Sequence, residues 1–164
     1  MSDNSKFKLS NPVHFLALGF GSGLLQPAPG TWGTLSAVPI YWWLAVYLEL
    51  PFFMYLLVTA LAFMVGIYLC GKTASDVGHH DHGAIVWDEI VGYLITMIAI
   101  SPTTINIVAG FILFRFFDIL KPWPIKAIDR KVHGGLGIML DDVLAGIAAW
   151  LVLQLGLFIV LNYL

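Results

Sequence analysis

The chain alternates between long apolar runs without charge and short clusters where its few charges gather. Residues 50–71 carry no charged side chain, and neither do residues 143–164. A helix crossing the hydrocarbon core needs roughly 20 mostly apolar residues, so each run predicts a span. A third uncharged stretch, 90–114, is broken by Ser101-Pro102-Thr103-Thr104. Proline beside small polar residues marks a turn, which splits this region into helices over about 84–100 and 104–120. Residues 9–48 are also free of Asp, Glu, Lys and Arg, but Gly and Pro punctuate positions 19–33. There the pattern predicts a span only over 34–48, kinked at Pro39, with 11–25 as an interfacial or re-entrant helix. The expected fold is all-α: a polytopic membrane helix bundle of about five transmembrane helices plus that N-terminal element. Residues 1–164 form a single integral membrane domain. Lys6 and Lys8 precede an apolar run, but no small-x-small cleavage site follows, so the N-terminus is read as retained.

Composition agrees with this reading. Hydrophobic residues make up 59% of the 164 and charged residues 11%, against about 25% charge in a soluble domain. A formal charge of -2 excludes an electrostatic nucleic-acid binder, which needs a basic face. The single cysteine, Cys70, excludes an internal disulfide framework and a Cys-rich zinc cluster. With five spans, Lys6, Lys8, Lys72, Lys121, Lys126, Arg130 and Lys131 all fall on one face. The positive-inside rule makes that face cytoplasmic and puts any chemistry there.

Three acidic clusters fall at the inner ends of predicted helices. Asp88-Glu89 lies about one turn inside the 84–100 span, and a carboxylate at that depth is a functional candidate by default. Gly92, four residues on, shares the face of Asp88 and permits close approach. Arg115, Asp118 and Lys121 share one helix face by their i, i+3, i+6 spacing. A helix-end ion pair with a snorkelling Arg115 would produce the same pattern. Asp141-Asp142 opens the last span, where acidic residues also serve as caps. If these ends pack together, five carboxylates converge, and they must be protonated, paired or metal-bound. An oxygen-only ligand set at a wet interface suits Mg²⁺.

Two further segments carry polar signals. Gly19 to Gly23 and the run from Pro27 to Thr34 hold Gly-rich turns with Ser and Thr, able to offer N–H groups to an anion ahead of a helix. The same glycines would also suit a tight, closely packed turn. His79-His80-Asp81-His82 has zinc-like residue types at a spacing too compact for a complete site. It reads as a solvated loop or a wall of the site. Cys70, at the end of an apolar run, reads as core.

In combination these motifs resemble the phosphatidylglycerophosphatase A family of bacterial inner-membrane lipid phosphatases. The stretches that carry the resemblance are Asn11-Pro12, Gly19-Phe20-Gly21-Ser22-Gly23-Leu24, Pro29-Gly30-Thr31 and Ile85-Val86-Trp87-Asp88-Glu89. They continue with Phe114-Arg115-Phe116-Phe117-Asp118-Ile119-Leu120-Lys121-Pro122-Trp123-Pro124-Ile125, His133-Gly134-Gly135 and Asp141-Asp142-Val143-Leu144-Ala145-Gly146. The resemblance implies a Mg²⁺-dependent enzyme that removes the terminal phosphate of phosphatidylglycerol phosphate at the cytoplasmic leaflet of the inner membrane. On that reading Asp88, Glu89, Asp141 and Asp142 hold metal, with Asp118 a further candidate. Arg115 and Lys121 neutralise the phosphoryl group. Gly21, Ser22, Gly23, Gly30, Thr31 and Thr34 cradle the phosphate or head group, and His133 contacts substrate. Asp81 or Asp129 is the candidate general base. Two rivals remain at this stage. A CDP-alcohol-type phospholipid transferase also places acidic residues at inner helix ends, but its spaced Asp run is absent. A cation transporter or channel subunit would also bury carboxylates, yet the outer half offers almost no polar path. Oligomeric state is left open.

Overall fold

The computed structural model describes residues 6–79 and 82–163. Among them, seven α-helices follow in order: α1 (Pro12–Ala17), α2 (Pro29–Trp42), α3 (Phe52–Val77), α4 (Trp87–Thr96), α5 (Thr104–Leu120), α6 (Ile125–Asp129) and α7 (Gly134–Tyr163). A 3₁₀ turn, Ser22–Leu24, precedes α2 and a π-helical turn, Trp43–Tyr47, follows it.

Each boundary has a local cause. Asn11 caps α1 by accepting the Val13 N–H at 3.0 Å, with Pro12 in the first turn, where the missing N–H costs nothing. Pro29 opens α2 in the same way. That helix begins five residues earlier than the pattern 34–48 predicts. It runs through Pro39 to Trp42 and then widens into the π turn, so the proline marks the approach to a distortion rather than a break. Thr103 caps α5 through the Asn106 N–H. Gly78, at φ +76°, ends α3 in the left-handed conformation that glycine adopts without penalty.

The helix α4 is the centre of the molecule and packs against α2, α3, α5 and α7. Seven of its ten residues are buried, and all but Asp88 are uncharged: Ile90, Val91, Gly92, Tyr93, Leu94 and Thr96. It crosses α7 at two glycines. A Cβ on Gly146 would lie 2.4 Å from the Gly92 carbonyl, and a Cβ on Gly92 would strike Phe114 of α5 at 2.5 Å. The close approach expected of Gly92 is therefore present.

The reading of 84–100 as one span-length helix needs correction. With ten residues, α4 is only about 15 Å long. A helix that ends inside an apolar bundle strands its last carbonyls, and that is tolerated only where other groups satisfy them. Here the Met97 and Ile98 N–H groups turn back onto the carbonyls of residues 93–95, and neighbouring helices supply further donors. The Tyr55 hydroxyl of α3 donates to the Leu94 carbonyl at 2.8 Å, and the Trp150 indole N–H of α7 donates to Ile98 at 2.8 Å. The Tyr41 hydroxyl of α2 reaches Ile100 at 2.6 Å, and the Asn106 amide of α5 reaches Ser101 at 2.9 Å. Residues 97–101 thus continue as irregular backbone held by side chains from α2, α5 and α7.

Among the described residues two helices, α3 and α7, are long and apolar enough to cross a membrane. Their outward faces, with Phe53, Met64 and Tyr68 on α3 and Leu155 and Leu161 on α7, are exposed large hydrophobics. Such continuous apolar faces suit lipid as solvent rather than water.

Candidate active site

The first turn of α4 carries Asp88 and Glu89. They sit at the helix N-terminus, not a turn inside it, because the chain enters α4 from a turn at residues 82–85, with the Val86 N–H pinned to the Ala17 carbonyl at 2.9 Å. The N-terminal end of a helix carries partial positive charge, which favours carboxylates there.

Asp142 arrives from α7. That helix begins at Gly134, so Asp141 and Asp142 lie two turns within it. The expectation that this pair opens the last span, with a possible capping role, is corrected. Ile138, Asp142, Ala145, Ala149 and Leu153 are all buried and follow the 3–4 spacing of one helix face. Asp142 is therefore a carboxylate on an otherwise apolar stripe, aimed at α4 and only 3% exposed.

One oxygen from each of Asp88, Glu89 and Asp142 can be chosen so that all three lie within 4.8 Å of one another. The Glu89 Oε2 and Asp142 Oδ2 atoms are buried without a hydrogen-bond partner among the described residues. Three carboxylates this close need a proton, a cation or a metal to offset their repulsion. The donor set is all oxygen, the chemistry of hard divalent cations.

Basic groups frame the cluster. Arg115 forms an ion pair with Asp118, one turn further along α5, and its Nη1 lies 3.9 Å from Glu89 Oε1. Its Nε is buried without a partner among the described residues. Lys121 closes α5 in a left-handed conformation, φ +41°. Its ammonium forms an ion pair with Asp141. Adjacent residues thus separate: Asp142 joins Asp88 and Glu89, while Asp141 turns to Lys121. The start of α2 completes the frame. A Cβ on Gly30 would lie 2.3 Å from Glu89 Oε1 and about 3 Å from the Arg115 guanidinium. Only glycine lets this helix end come so near the charges.

The remaining candidates fall elsewhere. Thr31 is in the first turn of α2, half-buried. Thr34 is fully buried, and its hydroxyl donates to the Gly30 carbonyl at 2.8 Å, which makes it a brace for that helix end. Gly23 packs on the Ala84 carbonyl, where a Cβ would sit at 2.1 Å, whereas Gly21, at φ +93°, faces open space. Ser22 lies near Ser36 of α2. His133 is exposed, just before α7. Asp81 lies outside the described residues, and so does the side chain of Asp129.

One polar network has no counterpart in the sequence reading. His14, buried in α1, pairs through Nε2 with Asp76 of α3 at 3.3 Å, and Asp76 also pairs with Lys72. The His14 Nδ1 accepts the Lys8 N–H at 3.2 Å. Both ring nitrogens are used in fastening the N-terminal segment to α3. The only sequence signal was a histidine within an apolar run.

An apolar helical fold with two span-length helices and a buried acidic centre that could hold a metal ion is the pattern of a membrane protein. Comparison with known proteins narrows that class. Residues 15–157 match the family model described as phosphatidylglycerophosphatase A. The chain is 51% identical over 144 residues to phosphatidylglycerophosphatase A of Escherichia coli (strain K12), covering 87% of this chain and 82% of that one. It is 53% identical over 156 residues to phosphatidylglycerophosphatase A of Haemophilus influenzae, covering 93% and 94%. A Bacteroides thetaiotaomicron protein, described as a candidate phosphatidylinositol-3-phosphatase, is 37% identical over 152 residues, covering 88% and 93%. No solved structure matches. The chain belongs to the phosphatidylglycerophosphatase A family.

Proposed function

We propose that this protein removes the terminal phosphate of phosphatidylglycerol phosphate at a centre formed by Asp88, Glu89 and Asp142. Family membership makes it a phosphatidylglycerophosphatase, a phosphoric monoester hydrolase that yields phosphatidylglycerol. The observation that carries the site assignment is the convergence of three carboxylates, two with orphaned oxygens, beside Arg115. These residues would hold a divalent cation, and the all-oxygen donor set favours Mg²⁺. When bound, such a cation neutralises phosphate charge and lowers the pKa of a coordinated water.

The chain's own residues bind and orient. Phosphoryl transfer is mostly positioning and electrostatic stabilisation. Arg115 offers its unpartnered Nε and its guanidinium face to phosphate oxygens, while Asp118 fixes the rotamer. Lys121, anchored on Asp141, adds a second positive charge. The α2 N-terminus at Gly30 and Thr31 brings its positive dipole end to the same point. The placement of this centre on the cytoplasmic side of the bacterial inner membrane is supported by the basic residues of its face.

The test is phosphate release by purified protein in detergent from phosphatidylglycerol phosphate, with Mg²⁺ or with EDTA. Release that depends on Mg²⁺ and disappears with EDTA is expected, and release indifferent to EDTA would overturn the metal assignment. Asp88→Asn and Asp142→Asn should each reduce turnover by more than the roughly 10–100-fold that losing a metal's outer-shell partner costs. Phosphatidylinositol 3-phosphate belongs in the same assay, because of the Bacteroides relative.

A further inference from the structure

A groove lies between the 19–25 turn and the flank of α2. Its volume is about 560 Å³, within the roughly 300–1,000 Å³ of small-molecule sites. Phe20, Leu25, Pro39 and Ile40 give it apolar walls, and Ser22 and Ser36 supply its hydroxyls. Two further observations single it out.

Phe20 has a backbone φ of +61°, a conformation that is a genuine outlier for a bulky side chain. Strain of this kind persists where the surrounding structure holds it, often at ligand sites. The Phe20 ring packs against Phe15 and Trp87 at centroid distances of 5.8 and 6.2 Å, yet stays 48% exposed along the groove. The strained residue thus presents an apolar surface outward.

The second observation is continuity with the acidic centre. The turn rests on the start of α4, where a Cβ on Gly19 would meet Val86 at 2.8 Å and Ile90 at 3.2 Å. Gly33 of α2 packs on the same Val86, whereas Gly30, one turn earlier, packs on Glu89. The groove and the carboxylates therefore flank one stretch of α4, and Ser36 lies two turns of α2 from Gly30.

We propose that this groove seats the glycerol-ester end of one acyl chain of the phospholipid substrate, with the Ser22 hydroxyl donating to the ester carbonyl. Ser36 is committed, donating to the Gly33 carbonyl at 2.7 Å. Ser22 donates to Ser36 at 3.4 Å, the long limit for such a bond, so its proton is the one most easily redirected. The inference rests on the lipid phosphatase reading and moves Ser22 from the phosphate to the lipid body.

The test is photolabelling of the wild-type protein with phosphatidylglycerol phosphate bearing a diazirine near the ester of one acyl chain. Adducts at residues 20–25 and 36–40 are expected. Adducts confined to outward positions of α7, such as Leu155, would overturn the proposal. Kinetics give a second readout. Ile40→Trp should raise KM for a dioleoyl substrate about tenfold, as expected for displacing one or two methylenes, while kcat changes far less. Leu155→Trp should alter neither. An unchanged KM in Ile40→Trp would overturn the groove, and if that variant fails to fold, the wild-type adducts decide. Wild-type protein that does not turn over the lipid at all would overturn the phosphatase reading itself, and the groove with it.

Discussion

At the scale of single residues, the site depends on a few positions where one atom changes the outcome. Gly30 is the sharpest. Alanine there places a methyl group 2.3 Å from Glu89 Oε1, which displaces the carboxylate from its partners. Displacement of about 1 Å at a catalytic group can cost roughly a hundredfold in rate. Alanine is the better helix former by about 1 kcal/mol, so Gly30→Ala should lose activity without a lower melting temperature. Parallel steady-state kinetics and thermal unfolding in detergent would check that split. Asp141 and Asp142 teach the complementary lesson. They are adjacent and chemically identical, yet about 100° of helical rotation sends one to Lys121 and the other to the acidic cluster.

At the scale of elements, α4 is the unusual one, a short helix whose ending is held by its neighbours. Tyr55→Phe removes the hydroxyl that donates to the Leu94 carbonyl from α3. The Leu94 carbonyl keeps the Met97 N–H at 3.3 Å, so only one hydrogen bond is lost, about 0.5–1.5 kcal/mol, and the variant should unfold at a slightly lower temperature while the carboxylates keep their spacing. A melting temperature equal to wild type would show that the Met97 N–H alone suffices for that carbonyl. The α4–α7 crossing is more sensitive. At Gly146 a side chain would meet the Gly92 carbonyl at 2.4 Å. Gly146→Leu should therefore force α7 outward, withdraw Asp142 and cost about 1–3 kcal/mol or more through overpacking. Both phosphate release and thermal stability should fall. A loss of stability alone would mean the cluster survives the displacement.

At the scale of the whole molecule, the proposed topology has a direct check. Cys70 is buried, so new cysteines can be labelled against little background. Ser10 and Glu49 are both exposed and fall on opposite sides in the proposed arrangement. Glu49→Cys should react with an impermeant maleimide in spheroplasts, and Ser10→Cys only after permeabilisation. The reverse pattern would invert the orientation and turn the acidic centre outward.

The chain by itself determined the apolar runs, the gathering of charge at one end of each, and a wider set of candidate carboxylates, Asp88, Glu89, Asp118, Asp141 and Asp142. Partition between water and lipid acts on each residue independently, so it leaves a record in linear order. The turn at 101–104 was legible for the same reason, since Pro102 and its polar neighbours disrupt a helix locally. Only the tertiary structure decided where α4 stops, because Tyr55 holds the Leu94 carbonyl at its end, and Trp150 and Tyr41 hold Ile98 and Ile100 just beyond it, all from far away in the chain. It also decided which carboxylates meet. That depends on where α7 begins, on its rotation about its own axis, and on how closely Gly92 and Gly146 let two helices cross. These are relations between distant residues, and no local pattern encodes them.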